Sequence, residues 1–185
     1  NIPFVYNPEK ISNFGIQNEG YINYNSLNKN NFSRIRNTFI YKSHKILFGR
    51  YGQQIKAVFI PSDYIFSTRI YGIKLTSNKH YILFTALFNS YVVNYYLHQK
   101  YGKRAGSNFS KFDTNAIKNI PIPKELDEDL VTEISEISKQ LTEGKLKYEG
   151  EIKDKLNELI YDLYDLSFTE RQRIKDFFTV KKTVA

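Results

Sequence analysis

Two sets of side chains in this sequence have types and spacings that could do chemistry. The first is Glu151-Ile152-Lys153 with Asp129 upstream, which matches the E-x-K half of a metal-dependent nuclease motif. That chemistry needs carboxylates converging on a metal from a rigid sheet. Here Asp129, Glu151 and Lys153 fall on solvent-facing positions of predicted helices, so an ordinary charged helix face is the better reading. His44, His80 and His98 have no metal-ligand spacing, and without a single cysteine a zinc site is disfavoured. There is no glycine-rich phosphate or cofactor loop and no HExxH. No catalytic and no metal-binding residue is therefore assigned.

The second set is cationic. Arg34, Arg36, Lys42, Lys45, Arg50, Lys56, Arg69 and Lys74 run through the first half, and Lys100, Lys103, Arg104 and Lys111 surround the loop YGKRAGSNFSKF. Clustered Lys and Arg displace counterions from a phosphate backbone, and the arginine fork also matches guanine in the major groove. In the loop, Gly102 and Gly106 let backbone approach a phosphate while Ser107 and Asn108 donate hydrogen bonds. A flexible turn explains the same residues equally well. The expected DNA-binding set is Arg34, Arg36, Lys42, Lys45, Arg50, Arg69, Lys103, Arg104, Ser107, Asn108 and Lys111. The asparagines of residues 18–31 are better read as loop chemistry than as adenine readers. Most of the 15 Tyr and 14 Phe lie inside apolar runs and are assigned to packing.

The elements that position these residues change character once. Residues 1–123 hold 16 Lys/Arg against 4 Asp/Glu, a net of +12, whereas residues 124–185 hold 11 against 15, a net of −4. The border follows KFDTNAIKNIPIP, whose prolines cannot continue a helix and push Ile120 and Ile122 toward extended backbone. It divides a basic domain, 1–123, from an acidic helical region, 124–185. Before the border, RNTFIY, KILFGRYG, QIKAVFIP and DYIFSTRIYGIKL are β-prone runs separated by Gly52 and Pro61-Ser62-Asp63. Residues 18–31 are predicted as a surface loop. Residues 81–97, YILFTALFNSYVVNYYL, carry no formal charge, yet they are short for a membrane span and contain Thr85, Asn89, Ser90 and Asn94. One helix buried against the sheet, ending near Gly102, is the expectation.

After the border, Leu126, Leu130, Ile134, Ile137 and Leu141 form one apolar stripe and Ile152, Leu156, Leu159, Ile160 and Leu163 a second, with Gly144 between them. The short join predicts an antiparallel hairpin. Ser167 and Glu170 fit a capping box that opens a last helix through RQRIKDFF. The fold class is α+β: a twisted, mostly antiparallel sheet with a buried helix, then a helical hairpin and a final short helix. The absence of methionine from all 185 residues, including position 1, suggests a piece of a longer chain. No signal peptide is visible, and a cysteine-free chain fits a reducing, cytoplasmic setting.

The run ALFNSYVVNYYLHQKYGKRAGSNFSKFDTNAIKNIPIPKEL resembles the C-terminal target-recognition domain of TaqI-like adenine-specific DNA methyltransferases and type IIG restriction-modification enzymes. The resemblance rests on Leu87-Phe88-Asn89-Ser90, the basic loop 102–107, Lys111-Phe112, the short helix 115–118 and Pro121-Ile122-Pro123. The tail adds Leu163-Tyr164-Asp165-Leu166 and the capped helix 167–178, and KILFGRYGQQIKAVFI resembles the preceding strand pair. It spans about residues 35–180, and the first 34 residues match loosely. The family's Asn-Pro-Pro-Tyr and glycine-rich cofactor loop are absent here, so the resemblance implies that methyl transfer from S-adenosylmethionine occurs elsewhere in the parent, with no cofactor bound by this fragment. What it implies here is sequence-specific duplex DNA binding that positions a target adenine. The implied partners are duplex DNA and an N-terminal methyltransferase domain of the same chain, with a subunit contact through helices 126–143 and 150–165 and no membrane. The rivals are a protein-interaction module with an incidental basic face, an RNA-binding domain, and the nuclease reading of Glu151 and Lys153. No RNP-like run supports an RNA-recognition motif.

Overall fold

In the computed structural model of the chain, which describes residues 1–23, 37–101, 110–112 and 114–183, strand β5 (Lys45–Gly49) is the centre of the basic half. Its first four residues are all buried because both of its faces are covered. Strands β7 (Ala57–Ile60) and β9 (Ile70–Ile73) flank it, both antiparallel. The strand period of two sorts its side chains. Ile46 and Phe48 enter a core shared with the helices, while Leu47 enters a second core with Val5, Tyr41 and Phe66. Double burial explains why only partial alternation shows in the sequence of these strands.

The second core is closed by a smaller sheet. Here β1 (Ile2–Val5) pairs antiparallel with β4 (Gly20–Ile22) and parallel with β8 (Ile65–Phe66). Two short ladders complete the strands, β2 (Ile11–Ser12) with β3 (Gly15–Ile16) and β6 (Tyr51–Gly52) with β10 (Ser110–Lys111). The basic half thus stacks two small sheets where the sequence suggested one. Among the described residues pairing is mostly antiparallel as expected, with β1–β8 the exception. The approach between sheets is close at Gly72, where a Cβ would stand 2.5 Å from Phe66 Cζ. A glycine inside β9 is required there.

Two local expectations are corrected. RNTFIY is not a strand: Thr38–Tyr41 is a 3-10 turn, because Asn37 Oδ1 accepts the Phe39 N–H at 3.0 Å and caps it. The expected loop 18–31 contains strand β4 and loop residues up to Asn23, and the rest lies outside the described residues. Asn18 Oδ1 accepts the N–H groups of Phe4 and Gly20, at 3.2 and 3.0 Å, which holds this turn to β1.

The single helix expected over 81–97 is two helices, α1 (Tyr81–Asn89) and α2 (Tyr91–Tyr101). Ser90 is extended (φ −75°, ψ 157°) and its hydroxyl accepts the Val93 N–H at 3.3 Å, so it serves as the N-cap of α2. The polar residues that argued against a membrane span are buried and hydrogen-bonded. Asn89 Nδ2 donates to the carbonyls of Ala57 and Thr85, and its Oδ1 accepts the Ala57 N–H, each at 2.9 Å. Asn94 Oδ1 accepts the Ile55 N–H at 2.7 Å. Asn89 thereby closes the outer edge of β7 at Ala57, and Asn94 closes the segment leading into it at Ile55. Among the described residues no helix is long and apolar enough to cross a membrane.

Beyond the short α3 (Thr114–Lys118), residues 120–123 take no regular structure, and the carbonyl of Pro121 accepts the Tyr164 hydroxyl at 2.9 Å. The hairpin forms as read: α4 (Glu128–Thr142) and α5 (Gly150–Leu163) present Ile134, Ile137, Leu141, Leu156, Ile160 and Leu163 to the core. Gly144, at φ +71°, ends α4, and the backbone N–H of Lys145 reaches back to the Gln140 carbonyl at 2.9 Å. In the capping box, Ser167 N–H donates to Glu170 Oε2 at 2.8 Å, and Glu170 N–H donates to Ser167 Oγ at 3.4 Å. The last helix, α6 (Phe168–Thr183), is longer than the sequence suggested. The helical region also plugs the α1–α2 break. Asn157 Oδ1 accepts the Tyr91 N–H at 2.8 Å, and the Tyr148 hydroxyl donates to the Asn89 carbonyl at 2.9 Å. The charge border at Pro123 therefore does not interrupt the core, which joins Ile46 and Phe48 to Ile134 and Ile160.

Candidate nucleic-acid interface

Three turns converge at the Gly49 end of β5. Arg50 donates its backbone N–H to the Arg69 carbonyl at 3.0 Å and its Nη1 to the Thr68 carbonyl at 3.3 Å. Its guanidinium carbon lies 5.1 Å from the centre of the Tyr71 ring. Arg69 lies 5.1 Å over Tyr6, and Ser67 Oγ ties this turn to the Tyr6 carbonyl at 2.6 Å. Glu19 pins the third turn by accepting the N–H groups of Tyr6 and Asn7 at 2.6 and 2.8 Å. Those bonds, that of Asn7 foremost, hold its carboxyl below the ordinary value. Tyr6 and Tyr51 stand 47% and 57% exposed beside the two arginines. A groove of about 440 Å³ opens next to Tyr51, lined in part by Glu9, Gln53, Gln54 and Lys56.

The basic loop is rooted at the same end. Strand β10 pairs Lys111 with Tyr51 and Ser110 with Gly52, and Phe112 N–H donates to the Arg50 carbonyl at 3.0 Å. On the other side of the loop, α2 is held here by His98, whose ring bonds the Gln53 carbonyl. The sequence positions flanking 102–109 are thus brought beside Arg50 and Tyr51. Planar forks, exposed rings and pinned backbone at one place can contact base edges and phosphates together.

Lys42 lies elsewhere. It precedes β5, so the whole strand separates it from Arg50, about 14 Å for the span 45–49. Lys42 pairs with Asp63 at 3.3 Å across an exposed turn. Lys45 requires a correction. It is 0% exposed, and its Nζ donates to the carbonyls of Ser43 and Ser62, both at 2.6 Å. It is therefore out of reach of a surface ligand. Burial, with added repulsion from Lys74, pulls its pKa from 10.5 to about 8. Between those values the unfolded chain binds the proton that the folded chain has released. Stability should accordingly rise by roughly 2 kcal/mol between pH 8 and 10. Above pH 10 the buried tyrosines oppose it, Tyr64 being pushed up to about 12. Urea unfolding at a series of pH values should show the rise, and Lys45→Met should flatten it.

Of the other expected residues, Arg34, Arg36, Lys103, Arg104, Ser107 and Asn108 lie outside the described residues, and Lys111 is placed by its backbone pairing. Arg50 and Arg69 are brought together; Lys42 is not with them. Tyr6 and Tyr51 escaped the sequence reading, which assigned most aromatics to packing. The signal for Tyr51 was its place in Gly49-Arg50-Tyr51-Gly52, a turn flanked by glycines. Asp129 and Glu151 are exposed, and Lys153 Nζ sits over the rings of Tyr91 and Tyr148 at 4.8 and 5.6 Å. Among the described residues no three His, Cys, Asp or Glu side chains gather to hold a metal.

The sequence matches the family described as the TaqI-like C-terminal specificity domain over residues 5–122. The match includes residues 5–34, where the resemblance is loose, and it stops before the acidic helices. No curated protein matches. Among solved structures, the type IIL restriction-modification enzyme MmeI, determined in complex with DNA, is similar in fold. Its alignment has a TM-score of 0.55 and 17% identity, covering 76% of this chain and 21% of that enzyme. The chain thus spans about a fifth of that enzyme's length.

Proposed function

Because the chain belongs to the family of TaqI-like C-terminal specificity domains, we propose that it recognises a specific duplex DNA sequence within a restriction-modification enzyme. The observation that carries this reading is the convergence of Arg50, Arg69 and the roots of the 102–109 loop at one end of the stacked sheets. On this reading Arg50, Arg69, Lys103, Arg104, Ser107, Asn108 and Lys111 meet DNA at that end, where the arginine forks read base edges. Arg34 and Arg36 are further contacts on this reading, and Lys42 meets the DNA away from that end. The parent would methylate an adenine with S-adenosylmethionine on an N-terminal domain of the same chain. Such chemistry takes the target base out of the stack, so the recognition domain grips the flanking duplex. The acidic α4 and α5 would face the rest of the enzyme or a partner subunit, since like charge keeps them from phosphates.

The test is binding of labelled duplexes by the intact enzyme over a range of salt. The logarithm of affinity should fall linearly with log salt, at about −0.9 per phosphate contact, and the cognate duplex should outcompete structured RNA. Salt-insensitive binding would leave the protein-interaction reading instead, and preference for RNA would replace DNA as the ligand.

A further inference from the structure

The Lys42 end of β5 has its own built surface. Phe39 is 65% exposed, and its backbone is fixed by the Asn37 cap. Lys74 Nζ lies 4.2 Å over the Phe39 ring. Ser43, at φ +33°, is pinned from both sides: its N–H donates to Asp63 Oδ1 at 2.7 Å, and its carbonyl accepts the buried Lys45 Nζ. Helix α1 begins at the same end, because Tyr81 packs on Phe59 and His44 at 5.3 and 5.9 Å. That places Lys79 and His80, both exposed, beside the patch.

We infer that this end is a second DNA contact, a phosphate clamp made by Lys42, Lys74 and Lys79 around Phe39, which holds the backbone flanking the bases read at the Arg50 end. The inference rests on the DNA-binding reading above and divides its labour. Two physical reasons assign the roles. Lysine is a hydrated point charge that suits a phosphate, whereas the planar arginine fork suits the paired acceptors of a base edge. Among the described residues the two arginines of this half, Arg50 and Arg69, stand at one end, where Lys56 and Lys111 also lie, whereas the cations at the other end, Lys42, Lys74 and Lys79, are all lysines. The two ends are separated by about 14 Å of strand, close to the ~12 Å width of a major groove, so one duplex can meet both. The buried charge of Lys45 adds to the field at this end without touching the ligand.

The intact enzyme carrying Lys74→Ala and Lys79→Ala tests this, with cognate and non-cognate duplexes measured across salt. Affinity for both duplexes should fall by a similar factor, and the slope of log affinity against log salt should shrink by about 1 to 2. The cognate-to-non-cognate ratio should stay constant. Lys79→Ala alone, which leaves the Phe39 contact intact, should give about half the change in slope. An unchanged slope in the double variant, with a steep slope in the unmodified enzyme, overturns the clamp and leaves the recognition reading standing. A change in the ratio without a change in slope overturns it too, because it would make these lysines base readers. A flat slope in the unmodified enzyme overturns both.

Discussion

Replacing Asn89 by leucine is expected to lower the unfolding free energy by about 4 kcal/mol, although the two side chains share the same γ-branched shape. Asn89 is 3% exposed and sits where a neighbouring strand would be. Its Oδ1 accepts the Ala57 N–H and its Nδ2 donates a hydrogen bond to the Ala57 carbonyl, both at 2.9 Å, while Oδ1 also accepts from Asn13 Nδ2 at 2.7 Å. The Ala57 carbonyl keeps a second partner, the Phe14 N–H at 2.9 Å. The N–H of Ala57 does not, and a buried donor left unpaired costs ~1–3 kcal/mol before the lost bonds of Thr85 and Asn13 are added. Because domains of this size are stable by only about 5–15 kcal/mol, between about a quarter and four-fifths of the margin goes. Urea unfolding of wild type and variant measures it, and a loss below about 1 kcal/mol would show that the carboxamide does not hold the β7 edge. Binding should weaken with stability, since α2 carries the root of the basic loop and is held to the segment leading into that edge by Asn94.

The second large effect is expected at Arg50. In the intact enzyme, Arg50→Ala should reduce affinity for the cognate duplex by about 10- to 100-fold, the worth of a bidentate base contact. Non-cognate affinity should change much less. Arg50→Lys separates charge from geometry. A lysine keeps the attraction to phosphate but has neither the fork nor the planar surface that lies over Tyr71. It should restore non-cognate affinity and leave discrimination low. If lysine instead restored cognate binding in full, Arg50 would be a phosphate contact and the base-reading assignment would move to another residue of that end. Folding should be little affected, because among the described residues the side chain makes one hydrogen bond, to the Thr68 carbonyl at 3.3 Å, and its Nε is buried without a partner.

Signals that act within one or two helical turns were legible in the sequence. The stripes of α4 and α5, the Gly144 stop and the Ser167–Glu170 box each depend on neighbours a few residues away, and the structure contains all of them. The order of Asn89-Ser90, the basic loop and Lys111-Phe112 carried the family, because those residues keep their spacing whatever surrounds them. The change of charge after Pro123 was equally plain, being a matter of counting.

Other features needed partners from far along the chain. Residues 89 and 94 in one straight helix would point about 140° apart, so nothing in their spacing suggests a shared target. The break at Ser90 turns both toward the 55–57 backbone, and it persists because Asn157 and Tyr148 satisfy the backbone groups it exposes. Lys45 looked like a surface cation because hydropathy says nothing about whether two carbonyls, from Ser43 and Ser62, wait beneath a second sheet. The same strand decided which cations share a site. By itself the sequence determined the family, the helices after Pro123 and the sign of the charge on each half. Only the tertiary structure decided that Arg50 and Arg69 stand together while Lys42 faces the opposite end, because strand pairing joins residues distant in sequence and separates neighbours by the length of β5.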